Sequence, residues 1–401
     1  MIVGMGQAAN VNPDLLIWAR ESINMDLDTA ASRIGVQADR LHEWEAGRGQ
    51  PTIIQARKMS GVYRRPLAAF FLPQRPSDLG FTVPHDFRRL PHDQPRILSS
   101  ELIAELRRVQ YLRDAAIELA EEIPQQPGRF VGTCRLEQPP AQVARRALEL
   151  LGMGPPPHVG WKTDYDALNG WKNAIEEQGV LVMHLIRVEL REVRGIAIAE
   201  RTFPLIAVNG KDPPYGRVFT LVHEFVHLIL GATGISNMRV SRRPRTREQR
   251  VEQFCNEVAG EVLVPSEALR SHRHVQRAPG RLEWPDETIK DLAEFFRVSR
   301  EVIVRRLVAL RLTTNDFYRQ KRQQYARERE AAGPSSGGPL PMPRRILRAV
   351  GQPFARIALD AYHREAISGS DLAELLGARL KHLPAVEELL AGRNVLTGGD
   401  R

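Results

Sequence analysis

Two histidines four residues apart enclose a glutamate in the string His223-Glu224-Phe225-Val226-His227. On a helix that spacing stacks the pair on one face, one turn apart, so both imidazoles can reach a single metal ion. Glu224 stands beside that face, where a carboxylate can hold a metal-activated water and take its proton. The flanks Val218-Phe219-Thr220-Leu221-Val222 and Leu228-Ile229-Leu230 leave this helix apolar on nearly every side. Charged and polar groups in such surroundings are costly unless something pairs with them, and a metal supplies that pairing. A catalytic zinc takes three protein ligands and keeps one position open, so a third donor must come from elsewhere. Glu252 opens the helical run Glu252-Gln253-Phe254-Cys255-Asn256-Glu257-Val258-Ala259 and shares a face with Asn256. Its carboxylate could bind the metal while the Asn256 amide orients a ligand histidine from behind. Spacing leaves Glu257, Glu261 and Cys255 as other donors, although Cys255 lies about 100° round the helix and reads as a small core residue.

These groups need elements to hold them. Apolar periodicity predicts helices over 99–122, 141–151, 168–178, 216–230, 249–263, 286–296 and 299–312, with a basic helix running on towards Glu330. Short β-type runs at 180–183, 195–199 and 205–208 predict a small sheet just before the histidine helix. The segment 331–342, rich in Gly, Pro and Ser, reads as a flexible linker, and 343–396 as a small helical domain of unassigned role. No internal repeat is evident.

The chain has 401 residues, 42% of them hydrophobic, which suits two or three domains with real cores and excludes wholesale disorder. No stretch approaches the roughly 20 apolar residues of a membrane helix. The first ten residues lack the basic and apolar regions of a signal peptide. Cys134 and Cys255 are the only cysteines, which excludes a disulfide-built fold. A cytoplasmic protein is therefore expected. The net charge of +9 sits mainly in two places. Residues 239–250 carry six arginines against Glu248, and 297–330 carry ten basic against four acidic residues. Both read as solvated segments before they read as binding surfaces.

Residues 10–73 form a separate helical unit. Asp26 precedes 27–34, Gly35 makes a turn, and 37–45 follows, ending in Trp44-Glu45-Ala46-Gly47 with Pro51 beyond. The string W-E-x-G-x-x-x-P resembles XRE-type helix-turn-helix domains. If the unit binds double-stranded DNA, Gln37 and Arg40 are the residues for base edges, because both side chains can make paired contacts in the major groove. The unit carries eight basic and seven acidic residues, so phosphate attraction is weak, and protein contacts are the other use of such a module.

Residues 203–265 closely, and 12–265 more loosely, resemble the ImmA/IrrE family of zinc metallopeptidases, in the bacterial form with an N-terminal XRE-type helix-turn-helix. The resemblance rests on Phe203-Pro204-Leu205-Ile206-Ala207-Val208-Asn209, on Arg217-Val218-Phe219-Thr220-Leu221-Val222-His223-Glu224-Phe225-Val226-His227-Leu228, on 252–259 and on Leu263-Val264-Pro265. Cys255 and Val258 replace the family's usual Ala and Phe. The resemblance favours Glu252 as third zinc ligand and Asn256 as its supporting amide. It implies a site-specific endopeptidase acting on a protein substrate such as an XRE-type repressor or a toxin–antitoxin component. The fold expected is α+β: an all-helical N-terminal unit, a mostly helical zincin-like metallopeptidase domain over 97–330 with a small sheet, and a helical C-terminal appendage. Strand 205–209 is expected at a sheet edge, taking an extended substrate by β-augmentation. The rival expectation is a DNA-binding regulator or antitoxin-like protein whose Zn2+ serves structure or sensing.

Overall fold

The computed structural model describes residues 8–76, 98–121, 130, 134–154, 160–236, 246–332 and 340–392. They fall into two compact units, Met1–Val83 with Asp93–Gln110, and Pro84–His92 with Tyr111–Arg401. Most of the arginine-rich 239–250 stretch and the linker core 333–339 lie outside the described residues.

In the first unit, α1 (Pro13–Glu21), α2 (Leu27–Ile34), α3 (Ala38–Glu45) and α4 (Ile53–Tyr63) precede a 3₁₀ turn over Leu67–Phe71, and α5 (Ser100–Glu121) begins here. Local chemistry sets the boundaries. Asp26 accepts from the Thr29 amide at 2.8 Å and so caps α2. Gly35, at φ 81°, ends it in the left-handed conformation that glycine adopts without strain. Thr52 and Gln55 form a reciprocal capping box for α4. Leu15, Leu16, Leu41, Trp44, Tyr63 and Phe70 fill the core. Inside it Arg20 grips Glu45 with two parallel bonds of 2.8 and 2.9 Å, tying α1 to α3.

The second unit carries the sheet. After α6 (Pro140–Leu150) and α7 (Asp164–Glu177) come β1 (Leu181–Leu185), β2 (Gly195–Ile198), β3 (Leu205–Asn209), α8 (Pro214–Leu230) and β4 (Gly234–Ser236). Then follow α9 (Arg247–Leu263), the short α10 (Ser266–Ser271) and α11 (Arg273–Gln276), α12 (Asp286–Phe296), α13 (Arg300–Ala309) and α14 (Asn315–Ala332). Beyond the linker lie α15 (Met342–Val350), α16 (Gln352–His363), α17 (Gly369–Leu375) and α18 (Leu383–Ala391). The strand order is β1-β3-β2-β4, with β1 parallel to β3 and the other pairs antiparallel. Residues of β1, β2 and β3 are buried at every position, which is why they read as continuous apolar runs and not as alternating ones.

One expectation fails here. Strand 205–209 is not an edge: Ile206 pairs with Val182 on one side and Ala197 on the other. Both of its ladders are occupied, so it has no free backbone for a substrate. The outer side of β1 is taken as well. Leu181 N–H donates to Pro204 on the β3 side, so by alternation the Val182 backbone faces outward. There it meets Gly351, whose position for a Cβ lies 2.5 Å from the Val182 oxygen. The same junction is held where His184 Nδ1 meets the Arg348 carbonyl at 2.9 Å and where Arg348 donates to the Gly210 carbonyl at 2.5 Å. The segment after the linker is thus packed against the sheet through α15 and α16.

Candidate metal centre

Helix α8 packs between the sheet, α7 and α9, and every residue from Gly216 to Ile229 is buried. Pro214 at its first turn and Gly231 in left-handed conformation after its last residue set its ends. Helix α9 starts where Thr246 accepts from the Gln249 amide and then runs against α8. That contact brings Glu252 to the two histidines.

The donor atoms converge. His227 Nε2 lies 3.2 Å from His223 Nε2 and 3.1 Å from Glu252 Oε1, and His223 Nε2 lies 3.5 Å from Glu252 Oε2. Ligands about 2.0–2.1 Å from a tetrahedral ion stand about 3.3 Å from one another, so these spacings fit one face of such a shell. The chemistry fits too: two nitrogens and a carboxylate oxygen are the donors that ion of this type takes. His223 and His227 are fully buried and Glu252 is 3% exposed, so a metal would be paired without competing solvent. Burial alone would raise the Glu252 carboxyl, but the two imidazoles opposite hold it down to about 2. Burial lowers His227 against the opposing pull of Glu252, which favours the neutral ring a ligand must be. Among the described residues, His223, His227 and Glu252 form the one group of metal-type donors this close together.

The other expected donors are elsewhere. Glu261 accepts from Ser266 at 2.8 Å and pairs with Arg306. Glu257 accepts from Gln253 at 2.8 Å on an exposed face. Cys255 is buried in the core, its thiol pushed well up by burial. Asn256 donates to the Glu252 carbonyl at 2.7 Å, within its own helix turn, so it steadies the backbone of the candidate third donor. Its Oδ1 and the Nδ1 of His223 are both buried with no hydrogen bond to the described residues, and no bond joins them.

Glu224 is fully buried on α8 and faces β2, where its carboxylate lies against the backbone of Gly195. Thr220, one turn earlier on α8, touches the same glycine. Neither Gly195 nor Thr220 stands out by side-chain chemistry. The available signal was a glycine heading an otherwise apolar strand, where close backbone approach is the usual reason.

In the first unit, Gln37 precedes α3 and makes no cap bond, and Arg40 lies on its exposed side. Arg40 is engaged by Glu43 at 2.8 Å and lies 5.8 Å over the Trp44 ring.

No helix among the described residues is long and apolar enough to cross a membrane. No curated protein matches the chain. Residues 175–308, which hold the whole donor cluster and Glu224, match the model of the Peptidase_M78 family, the IrrE N-terminal-like domain, and this supports a metallopeptidase-like function.

Proposed function

We propose that the chain is a zinc-dependent endopeptidase that cuts one specific protein target, a transcriptional regulator in class. The observation that carries this is the convergence of His223, His227 and Glu252 within 3.1–3.5 Å, with a glutamate directly after the first histidine. His223, His227 and Glu252 would hold the ion. Zinc, when bound, supplies Lewis acidity, polarising the scissile carbonyl and making water acidic enough to attack. Glu224 takes the proton of the attacking water and returns it to the leaving amide nitrogen. Asn256 steadies the turn of α9 that presents Glu252. A purely structural site has no use for Glu224, and a glutamate directly after the first ligand histidine therefore favours turnover.

The first unit is read as an XRE-type helix-turn-helix, with α2, the Gly35 turn and α3 as its two helices. Gln37 and Arg40 would address base edges, and the near balance of charge in this unit makes protein contacts its other use. Full burial of the donors favours one rival, a DNA-binding regulator or antitoxin-like protein with a structural or sensory metal, since structural zinc sites are closed. Glu224→Gln separates the two. The variant should keep its metal and lose every cleavage-dependent effect in cells; full cellular function in the variant would reject the peptidase reading and leave the regulator.

A further inference from the structure

We propose that Gly195 is a positioning residue for Glu224, its missing side chain forming the niche in which the carboxylate is held. This rests on Glu224 being the proton-transfer group of the proposed peptidase. A glycine inside a strand weakens it and needs a reason. Backbone conformation is not the reason, because Gly195 is absent from the residues with positive φ. The space around it is. A Cβ built at Gly195 would stand 2.2 Å from Glu224 Oε1, 2.7 Å from its Cδ and 2.6 Å from Thr220 Cγ2. All three lie well inside any contact that real Cβ atoms make, so an added methyl must displace something.

What can yield is the carboxylate. The glycine itself cannot retreat, because β2 is an interior strand at this point: Gly195 is in register with Val208 of β3 and Ser236 of β4. Arg194 before it accepts from the Asn209 amide at 2.8 Å, which pins the strand end. The Thr220 methyl can turn aside about χ1, since its buried hydroxyl makes no hydrogen bond to the described residues that would hold the rotamer. The backbones of helix and sheet thus form a slot with two fixed walls, and the Glu224 carboxylate is the larger group that must move within it. Two residues on, Ala197 is also small and wholly buried. It carries a Cβ, though, so the extra room is confined to the level of Glu224.

The test is Gly195→Ala, which extended backbone accepts, measured in two ways. With zinc bound, the Glu224-dependent release of new protein N-termini in a lysate of the producing cells should fall about 100-fold, the effect of roughly 1 Å of misplacement, while zinc stoichiometry stays that of the wild type. With zinc stripped, Gly195→Ala should lower the urea midpoint, and most of that loss should disappear in the Glu224→Ala background, where the carboxylate is gone. If Gly195→Ala alone does not fold, recovery of folded protein on adding Glu224→Ala reads the same coupling. Equal destabilisation with and without the Glu224 carboxylate overturns the niche, and so does wild-type hydrolysis by Gly195→Ala. The stability cycle needs no turnover, so a chain that cuts nothing would sink the peptidase reading and leave the niche to be judged on its own.

Discussion

Glu252 Oε1 lies 3.1 Å from His227 Nε2, although 25 residues and strand β4 separate them in the chain. The contact exists because α8 and α9 pack side by side, and it turns a two-histidine motif into a three-donor cluster. Removing the carboxylate charge should break that cluster. Glu252→Gln should weaken zinc binding by more than the roughly 10–100-fold that loss of a supporting residue costs. Competition with a calibrated chelator reads this, and wild-type affinity in the variant would remove Glu252 from the ligand set.

Stripping the metal should cost stability, because an ion bound by three buried donors of the native chain has no equivalent site in the unfolded one. A ligand present at about 1,000 times its dissociation constant stabilises by about 4 kcal/mol. Chelation should therefore lower the melting temperature clearly in the wild type and hardly at all in His223→Ala. Scanning calorimetry with and without chelator checks the difference.

The metal-free protein should lose stability as pH falls. Glu252 is held near 2, below its ordinary 4.5, so between these values the unfolded chain binds the proton more readily than the native one. The stability it lends is present above pH 4.5 and disappears towards pH 2. His227 is also lowered from 6.5, so its contribution starts to fade below that pH, in the same direction. Urea midpoints of the metal-free protein between pH 7 and 3 should fall throughout; a flat profile would contradict the ion-paired cluster.

In the first unit, Arg20 and Glu45 form a nearly buried bidentate pair, and removing one partner leaves a buried charge. Glu45→Ala should destabilise this unit by about 3 kcal/mol without altering zinc stoichiometry. Chemical denaturation followed through Trp18 and Trp44 fluorescence reports the first, metal analysis the second.

Gly351 is a left-handed residue pressed against the β1 backbone, at φ 80°. Gly351→Ala should therefore cost at least about 1–2 kcal/mol, more than an exposed glycine would, since both strain and steric overlap act. Limited proteolysis should find the segment after 340 cut sooner in the variant. Unchanged cleavage would mean that the α15–α16 junction does not hold that segment on the sheet.

Much of this was legible in the sequence for physical reasons. A helix like α8, apolar all round yet carrying two histidines and a glutamate, has few explanations, and α12 was readable to the residue from its periodicity. The choice of Glu252 over Glu257 and Glu261 was different. All three sit on one helix, and only the packing of α9 on α8 decides which faces the histidines. Strand order was likewise invisible: 205–209 reads the same whether it is an edge or an interior strand, because its covering on both sides comes from residues far away. Strand β4, three residues long, gave no periodicity at all. Gly195 carried no chemical signal, because what it contributes is space.

Peptide-bond hydrolysis through Glu224 is best judged by comparing new protein N-termini, across the proteome, in cells making the wild type or Glu224→Gln at equal levels. A zinc endopeptidase should give one or a few cleavage sites present with the wild type and absent with the variant, whose zinc content is unchanged. Identical sets of N-termini in the two cultures, under conditions where the wild type has its cellular effect, would contradict it.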